Sequence, residues 1–264
     1  MIVARTPSPE ERLRKLALAD DLCYDARMYK GRPVTVLIPC VHAPSHIKSI
    51  LATVPAFVDE IIVFVDPDPQ GPVAELDASE RIKVIAVDVH GNGLAMRNGI
   101  RQAKGDILVS LDPDHLFPMD AVSYLLEVLL RSDVRFVSAS RLFPGSKNAM
   151  SLKFRLGNRL LSLIFSLLYF RWVSDSLSGV WICERSILNE INLIGDMLAL
   201  YQELKIEAIR SPNIGFMEIY LEFSSRSGEK QVRPIRDGMH NLLFMIRKRF
   251  TRAVSRRNPV RNAG

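Results

Sequence analysis

Two aspartates follow a short apolar segment in the middle of the chain. The sequence ILVSLDPDHLF, residues 107–117, leads into Asp112 and Asp114, which are separated by Pro113. One interpretation is a turn, because Asp bonds to nearby backbone and Pro fixes φ. The other is a divalent metal site, because Mg²⁺ and Mn²⁺ prefer oxygen ligands and are often shared between carboxylates and substrate phosphates. The spacing alone leaves both interpretations open.

Apolar segments of strand length alternate with segments of helical periodicity around this acid pair. The pattern predicts strands over 34–39, 60–65, 83–89, 106–111 and 135–140, and helices over 45–54, 93–104 and 119–132. Strands that alternate with helices predict an α/β fold with a mostly parallel central sheet and helices on both of its faces.

Polar residues follow several of the predicted strands. Pro39 closes the first strand, Asp66 follows the second, and Asp112 and Asp114 follow a later one. Ligands of open α/β sheets bind beyond the carboxyl ends of the strands. The segment HGNGLAMRNG, residues 90–99, predicts a helix start whose free N–H groups suit a diphosphate, although a GxG sequence is more often only a tight turn.

Composition restricts the class of protein. The chain has 264 residues, 48% of them hydrophobic, which is enough for one large α/β domain or two small ones. Its three cysteines, Cys23, Cys40 and Cys183, are far apart and show no zinc-ligand spacing, which favours a reducing compartment over a disulfide framework. The N-terminus lacks the apolar segment of a secretory signal peptide, so we expect a cytoplasmic location.

The net charge of +6 resides at the C-terminus. Residues 240–264 contain no acid and the following basic residues: Arg247, Lys248, Arg249, Arg252, Arg256, Arg257 and Arg261. The start of this segment, HNLLFMIRKRFTRAV, interleaves apolar and basic residues as an interfacial helix does. We therefore predict contact with an anionic membrane surface. A solvated tail is the alternative, and no nucleic-acid-binding motif is present.

The most apolar segment is LLSLIFSLLYFRW, residues 160–172, which is too short to span a bilayer. A core helix and an interfacial helix that docks a lipid acceptor both remain open, and Tyr169 and Trp172 suit the second. The sequence predicts three parts of the chain: a helical N-terminal extension over 1–32, a main domain over 33–239 and a basic amphipathic tail over 240–264.

The order of these features resembles the GT-A glycosyltransferases of family 2, and most closely the branch that contains dolichol-phosphate mannosyltransferase and related polyprenyl-phosphate glycosyltransferases. The resemblance covers about residues 34–238 and is strongest in GNGLAMRNGIRQAKGDILVSLDPDHLFPMDAV. It continues through VSASR (137–141), DSLSG (175–179) and SRSGEKQVRPIRDG (225–238). It implies a Rossmann-like GT-A domain over 33–239.

The resemblance also implies roles for individual residues. Asp112 and Asp114 correspond to the DXD motif, which would hold Mg²⁺ or Mn²⁺ on the donor diphosphate. These two aspartates and Arg141 are the implied catalytic residues. The implied contacts of the GDP- or UDP-sugar donor are Pro39, Asp66, Asp68, Gly93, Arg97, Asp112, Arg226 and Lys230. The implied contacts of the acceptor phosphate are Arg141, Arg155, Arg159 and Ser178, and Asp175 belongs to the loop beneath them.

The chain departs from the family pattern at several positions. Cys40-Val41-His42 replaces the usual Asn-Glu after the first strand, and Pro67 replaces a second acid, for which Asp68 is the substitute. The lysine that often precedes the helix at Gly93 is absent. Leu116 occupies the position at which some relatives have another metal ligand.

These features predict a metal-dependent inverting hexosyltransferase. The enzyme would move a hexose from a nucleotide-diphosphate sugar to a polyprenyl phosphate as a peripheral protein at the cytoplasmic face of a membrane. A phosphate acceptor is already ionised and needs arginines rather than a base. The alternative acceptor is a sugar hydroxyl of a glycolipid or polysaccharide, with Glu203 as the base.

Two other classes of protein are alternatives to a glycosyltransferase. A sugar-1-phosphate nucleotidyltransferase needs a glycine-rich loop after the first strand, and PCVHAPSHIK contains no glycine. A non-catalytic membrane-associated binding module would bind a nucleotide sugar without turnover.

Overall fold

The computed structural model describes residues 31–40, 47–65, 80–86, 94–111, 115–116, 120–142, 152–195, 197–221, 224–225 and 234–251. The strands are β1 Val34–Cys40, β2 Glu60–Val65, β3 Ile82–Ala86, β4 Ile107–Ser110, β5 His115–Leu116, β6 Phe136–Ser140, β7 Trp181–Glu184, β8 Met217–Tyr220 and β9 Ser224–Ser225. The helices are α1 Ile47–Thr53, α2 Leu94–Gln102, α3 Asp120–Arg131, α4 Leu152–Tyr169, α5 Met197–Arg210 and α6 Pro234–Phe250, with a short 3₁₀ helix at Arg185–Asn189.

Seven strands form the central sheet in the order β3-β2-β1-β4-β7-β6-β8. β7 is antiparallel to both of its neighbours, and the other paired strands of this sheet are parallel. The predicted α/β class with a mostly parallel sheet is therefore confirmed. β7 differs because the chain re-enters the sheet from the carboxyl edge, the edge at which β1, β2, β4, β6 and β8 end.

Both faces of the strands β1, β2 and β4 are buried, which explains why these strands are mostly apolar rather than alternating. Val36 and Val109 belong to a core cluster that includes residues of α1 and α3. Leu37 and Leu108 belong to the cluster on the other face, with residues of α2, α4, α5 and α6. α2 packs so closely that a Cβ atom at Gly99 would overlap the Phe64 ring.

The predicted boundary at residue 239 lies inside α6. Met245 is fully buried, and its carbonyl accepts a 2.9 Å hydrogen bond from Tyr169 Oη. Residues of this helix thus pack on the core of the main domain. The predicted extension over 1–30 and the last residues, 252–264, lie outside the described part of the chain.

The apolar run over 160–172 forms the second half of α4 and the segment that follows it. Leu161, Phe165 and Tyr169 of this run are buried, whereas Leu163 and Leu167 are exposed. The helix is therefore part of the core on one side and apolar toward solvent on the other. Within the described residues, no helix is both long enough and apolar enough to cross a membrane.

Candidate active site

The ends of β4 and β6 define the centre of the carboxyl edge. Ser110 of β4 and Ser138 of β6 both pair with Trp181 of the intervening β7. The two serines are thus separated by two strand spacings, about 10 Å. Arg141 directly follows β6, and Leu111 directly follows β4, so the chain leaves the sheet at the same edge in both places.

A second, smaller pairing connects two more of the predicted motifs. His115 of β5 pairs with Ser225 of β9, and Leu116 pairs with Ser224, in antiparallel register. His115 directly follows Asp114 in the sequence, and Ser225 directly precedes Arg226. The chain therefore joins the acid motif and the predicted basic loop through one two-stranded ribbon.

Arg141 forms a bidentate ion pair with Asp175. Its Nε donates to Asp175 Oδ2 at 2.8 Å and its Nη2 donates to Oδ1 at 3.2 Å. The Arg141 backbone N–H donates to the same carboxylate at 3.1 Å. Burial opposes ionisation of Asp175, but the charge and hydrogen bonds of Arg141, together with Lys205 and Asn158, lower the pKa of this carboxyl below its usual range.

Lys205 supports the loop that carries Asp175. Its buried ammonium donates to the carbonyl of Asp175 at 2.8 Å and to the carbonyl of Ser178 at 3.1 Å. Burial lowers the pKa of Lys205 to about 8, against the opposing effect of the charges of Asp175 and Glu218. The ammonium therefore fixes the backbone on both ends of the DSLS turn.

Glu218 of β8 holds the same loop from the sheet side. Its carboxylate accepts hydrogen bonds from the backbone N–H and hydroxyl of Ser174, both at 2.7 Å, and from the backbone N–H of Asp175 at 3.1 Å. Burial raises the pKa of Glu218, and the Ser174 hydrogen bonds partly offset this rise. We call Arg141, Asn158, Asp175, Lys205 and Glu218 the Asp175 cluster.

α4 brings two further predicted arginines toward this cluster. Asn158 Nδ2 donates to Asp175 Oδ1 at 2.9 Å and so anchors the first half of α4 beside Arg141. Arg155 precedes Asn158 by three residues, so it lies one turn away on the same side of the helix. Arg155 is half-buried and Arg159 is exposed, and neither has an ion-pair partner in the described structure.

Other predicted residues have different surroundings. Ser178 is fully buried and its Oγ accepts a hydrogen bond from the Val180 N–H at 3.3 Å, so the described contacts do not support it as a direct acceptor ligand. Arg97 of α2 donates to the carbonyl of Gly195. Pro39 is partly exposed near the end of β1.

The remaining predicted donor and metal ligands lie outside the described residues: Asp66, Asp68, Gly93, Asp112, Asp114, Arg226 and Lys230. Across the ranges that the structure does cover, no group of three or more His, Cys, Asp or Glu side chains is arranged to hold a metal ion. The metal site at the DXD motif thus stays a prediction.

Glu203, the alternative base, occupies a different environment. Its carboxylate is fully buried, pairs with Lys248 at 2.6 Å and accepts hydrogen bonds from the N–H groups of Ile194 and Gly195. Residues two apart on a helix point to nearly opposite sides, so Glu203 faces away from Lys205 and the Asp175 cluster. These contacts give no support to Glu203 as a base for a sugar hydroxyl.

Sequence reasoning missed Lys205 and Glu218. Both are charged residues in segments, YQELKIEA and MEIY, whose sequences show no sign of a functional site. The one available signal is that Lys205 lies between two apolar residues, Leu204 and Ile206, that are both fully buried. That pattern indicates a buried position without identifying the partner.

The sheet, in which the antiparallel β7 lies between β4 and β6 and an arginine follows β6, agrees with the expected GT-A fold. Residues 35–191, more than half of the chain, match the family described as glycosyl transferase family 2. The chain belongs to this family and is a glycosyltransferase.

Two curated relatives extend the match beyond the family region. The chain is 26% identical over 214 residues to the dolichyl-phosphate hexose transferase of Haloferax volcanii, covering 80% of this chain and 91% of that protein. It is 26% identical over 226 residues to the dolichol-phosphate mannosyltransferase of Saccharomyces cerevisiae, covering 75% and 80%. The resemblance to the dolichol-phosphate mannosyltransferase branch is confirmed.

Solved structures agree on the fold. The glucosyl-3-phosphoglycerate synthase of Mycobacterium tuberculosis, in complex with Mn²⁺, uridine diphosphate and glucosyl-3-phosphoglycerate, superposes with a TM-score of 0.66. The match covers 94% of this chain and 88% of that chain at 17% sequence identity. At this identity the likeness establishes the shared GT-A fold alone.

Proposed function

We propose that this glycosyltransferase moves a hexose from a nucleotide-diphosphate sugar to a polyprenyl phosphate, with inversion at the anomeric carbon and with a divalent cation. The observation that carries the proposal is the position of Arg141, which directly follows β6 at the carboxyl edge of the sheet and pairs there with Asp175 at 2.8 Å. The described neighbours of the acid motif and of the basic loop, His115 of β5 and Ser225 of β9, pair with each other, so we infer that both motifs lie near this edge.

The residues predicted for the donor suit a diphosphate leaving group. Asp112 and Asp114 would hold Mg²⁺ or Mn²⁺, which would neutralise the charge that develops on the leaving diphosphate. Arg226 and Lys230 would add fixed positive charge to the same group. The Mn²⁺ and uridine diphosphate in the structurally similar synthase support this arrangement by analogy of fold.

The residues around Asp175 suit an acceptor that is already ionised. Arg141, Arg155 and Arg159 would bind its phosphate, and Asp175 would hold Arg141 in position. Of the described carboxylates of this region, Asp175 is fully buried and Glu218 is partly buried, and both already accept hydrogen bonds, from Arg141 or from the loop. A hydroxyl acceptor would need a carboxylate that accepts its proton, and neither of these carboxylates is available for that task. The names of the two curated relatives support a lipid phosphate.

The test compares two acceptors that differ by one group. The assay measures transfer of radiolabelled sugar from GDP- and UDP-sugars to two acceptors, a polyprenyl phosphate and the corresponding polyprenol. Each reaction is run with Mg²⁺ or Mn²⁺ and again after addition of EDTA. We expect labelling of the phosphate alone and loss of labelling in EDTA. Labelling of the polyprenol would favour the hydroxyl alternative.

Asp114→Ala examines the metal ligands directly, with Asp133→Ala as the matched control. Asp133 is an exposed acid that precedes β6 at the opposite edge of the sheet. We expect Asp114→Ala to lose about 100-fold or more in turnover, as when a group that stabilises transition-state charge is removed, and Asp133→Ala to retain activity. Equal activity of Asp114→Ala and the native chain would contradict the proposed metal site.

A further inference from the structure

Lys205 of α5 carries a fully buried ammonium close to the carboxyl edge of the sheet. A lysine is rarely buried in this way, because its charged form loses the hydration that water provides. In the described structure its hydrogen bonds go to the backbone carbonyls of Asp175 and Ser178, and none goes to a carboxylate. The nearest acids on α5 itself pair with Lys248 of α6 instead: Glu203 and Glu207.

Three charged side chains act on this ammonium from three different elements. Burial is the largest influence on the pKa of Lys205 and lowers it, the charges of Asp175 and Glu218 raise it, and the charge of Arg141 lowers it. Arg141 directly follows β6, Asp175 lies in the loop before β7, and Glu218 lies on β8. Lys205 therefore interacts electrostatically with the arginine at the site edge although the two side chains belong to separate elements.

The charges of these four side chains cancel when both carboxylates are ionised. Asp175 is paired with Arg141 at 2.8 Å. The Glu218 carboxylate accepts hydrogen bonds from backbone N–H groups at both of its oxygens, which favours its ionised form. Two negative charges are thus balanced by the positive charges of Arg141 and Lys205. If Lys205 were neutral, the cluster would carry one net negative charge.

This balance matters for an anion that approaches Arg141. The Arg141 side chain is 11% exposed, whereas Asp175 behind it is fully buried. In an isolated pair the carboxylate would cancel most of the attraction of the arginine for a phosphate. The ammonium of Lys205 offsets that carboxylate from the inner side. Its effect is large because charges inside a protein are screened much less than charges in water.

We propose that the charge of Lys205 sets the affinity of this site for the acceptor phosphate. Lys205 acts as a positioning residue, which does not touch the acceptor. It holds the turn that carries Asp175 and keeps the cluster behind Arg141 from repelling a dianion. The inference rests on the proposed function for the nature of the acceptor, a lipid phosphate. Binding of a phosphate monoester is measurable without sugar transfer, so the two proposals are tested separately.

The first test is calorimetric titration of the full chain with geranyl phosphate, a short, water-soluble isoprenoid phosphate, with no donor present. Lys205→Met should raise the Kd roughly tenfold or more, because one charge is lost from a poorly screened position. Lys205→Arg should restore most of the affinity, since arginine keeps the charge. In transfer assays the KM for geranyl phosphate should rise with the Kd, whereas kcat and the KM for the donor should stay close to the native values.

Lys248→Met is the matched control for this test. Lys248 is also a buried lysine, 4% exposed, and it lies on the other side of α5. Its removal should destabilise the protein but leave the Kd for geranyl phosphate unchanged. An equal rise in Kd in both lysine variants would show that loosening of α5, and not the charge of Lys205, controls binding, and would overturn the inference.

The second test needs no destabilised variant. A phosphate monoester has a second pKa of about 6, so it remains a dianion from about pH 7 to about pH 9.5. Lys205, with a pKa of about 8, loses its charge in this range. The Kd of the native chain for geranyl phosphate should therefore rise with pH, and that of Lys205→Arg should rise much less. The same rise in both proteins would assign the titration to another group and overturn the inference.

The outcomes for the two proposals differ. If the native chain binds geranyl phosphate with the expected dependence on Lys205 but transfers no sugar to it, the proposed function is wrong and the role of Lys205 in phosphate binding stands. If the native chain transfers sugar and Lys205→Met has the native KM for geranyl phosphate, the proposed function stands and the role of Lys205 is wrong.

Discussion

Two buried ionic clusters occupy opposite sides of the same helix, α5. On one side Lys205 joins the Asp175 cluster through the Asp175 and Ser178 carbonyls. On the other side Glu203 and Glu207 pair with Lys248 of α6 at 2.6 and 2.9 Å. Both clusters remove charges from water, which is costly without close pairing. They differ in what they hold, because the first fixes a loop at the carboxyl edge and the second fixes a helix.

This difference separates positioning of the site from attachment of the C-terminal helix. In the Asp175 cluster the ion pair ends at Arg141, which is 11% exposed and follows β6 at the site edge. In the cluster of Glu203, Glu207 and Lys248, the Lys248 ammonium also donates to the Asn192 carbonyl at 3.0 Å. The described contacts of this ammonium are therefore all with residues away from the carboxyl edge of the sheet. We therefore expect changes in the first cluster to affect catalysis, and changes in the second to affect mainly stability.

The largest effect is expected for Asp175→Asn. The amide keeps the shape of the side chain but removes the carboxylate charge that pairs with Arg141 and stabilises the ammonium of Lys205. Breaking a buried pair in this way costs about 3 kcal/mol of folding free energy. Loss of the Arg141 position should lower turnover about 100-fold, as expected when a reacting group is misplaced by about 1 Å. Steady-state transfer kinetics and thermal unfolding measure the two effects.

Glu184→Gln is the matched control for this change. Glu184 also pairs with an arginine, with Arg135 Nε at 2.8 Å from Glu184 Oε2, but it lies at the opposite edge of the sheet. Its side chain is 23% exposed, so we expect a loss of about 1 kcal/mol or less and a normal KM for the acceptor. An equal loss of turnover in both variants would refute a specific positioning role for Asp175.

The second effect concerns Lys248→Met. Removal of the ammonium leaves Glu203 and Glu207 buried without a counter-charge, which should cost about 3 kcal/mol and lower Tm by on the order of 10 °C. Turnover of the folded protein with a soluble acceptor should be largely retained. Differential scanning calorimetry and the transfer assay measure this separation.

Arg247→Met is the control for Lys248→Met, because it removes the same charge from the adjacent, exposed position. Its effect on stability should stay within about 0.5 kcal/mol, as for surface substitutions elsewhere. If Lys248→Met left Tm unchanged and abolished transfer, the division between a positioning cluster and an attachment cluster would be wrong.

The fold was largely predictable because its signal is local. Strands such as VTVLIPC and EIIVFV are buried on both faces and are therefore mostly apolar, and their polar residues Thr35 and Glu60 hydrogen-bond to each other at 2.7 Å. The position of Arg141 at the end of β6 was also predicted, since the motif VSASR is continuous in the sequence. These features do not depend on distant partners.

The ionic clusters were not predictable in the same way, because each charge is compensated from another element. Lys205 contacts a loop 30 residues earlier in the chain, and Lys248 pairs with a glutamate 45 residues earlier. The sequence around Lys248 predicts a basic tail at a membrane surface, or alternatively in solvent, whereas the fold buries Lys248 against α5. Likewise, Glu203 reads as a free carboxylate until its pairing with α6 is known.

The smallest effect is the pH dependence of stability contributed by Lys205. The folded-state pKa of about 8 is below the ordinary lysine value of 10.5 because burial disfavours the charged form. Between these two pH values the unfolded chain binds a proton on this lysine that the folded chain does not. The contribution of Lys205 to the free energy of unfolding therefore rises with pH across this window and is least favourable below pH 8.

Lys205→Met removes this titration, and Lys205→Arg keeps a charge throughout the range. Urea unfolding between neutral pH and pH 10 should show the native chain gaining stability relative to both variants, by on the order of 1 kcal/mol. Constant differences across the range would mean that proton release from Lys205 is not linked to folding. The ammonium of Lys205 would then remain charged in the folded chain across this range. That result would mean that the charges of Asp175 and Glu218 compensate for its burial.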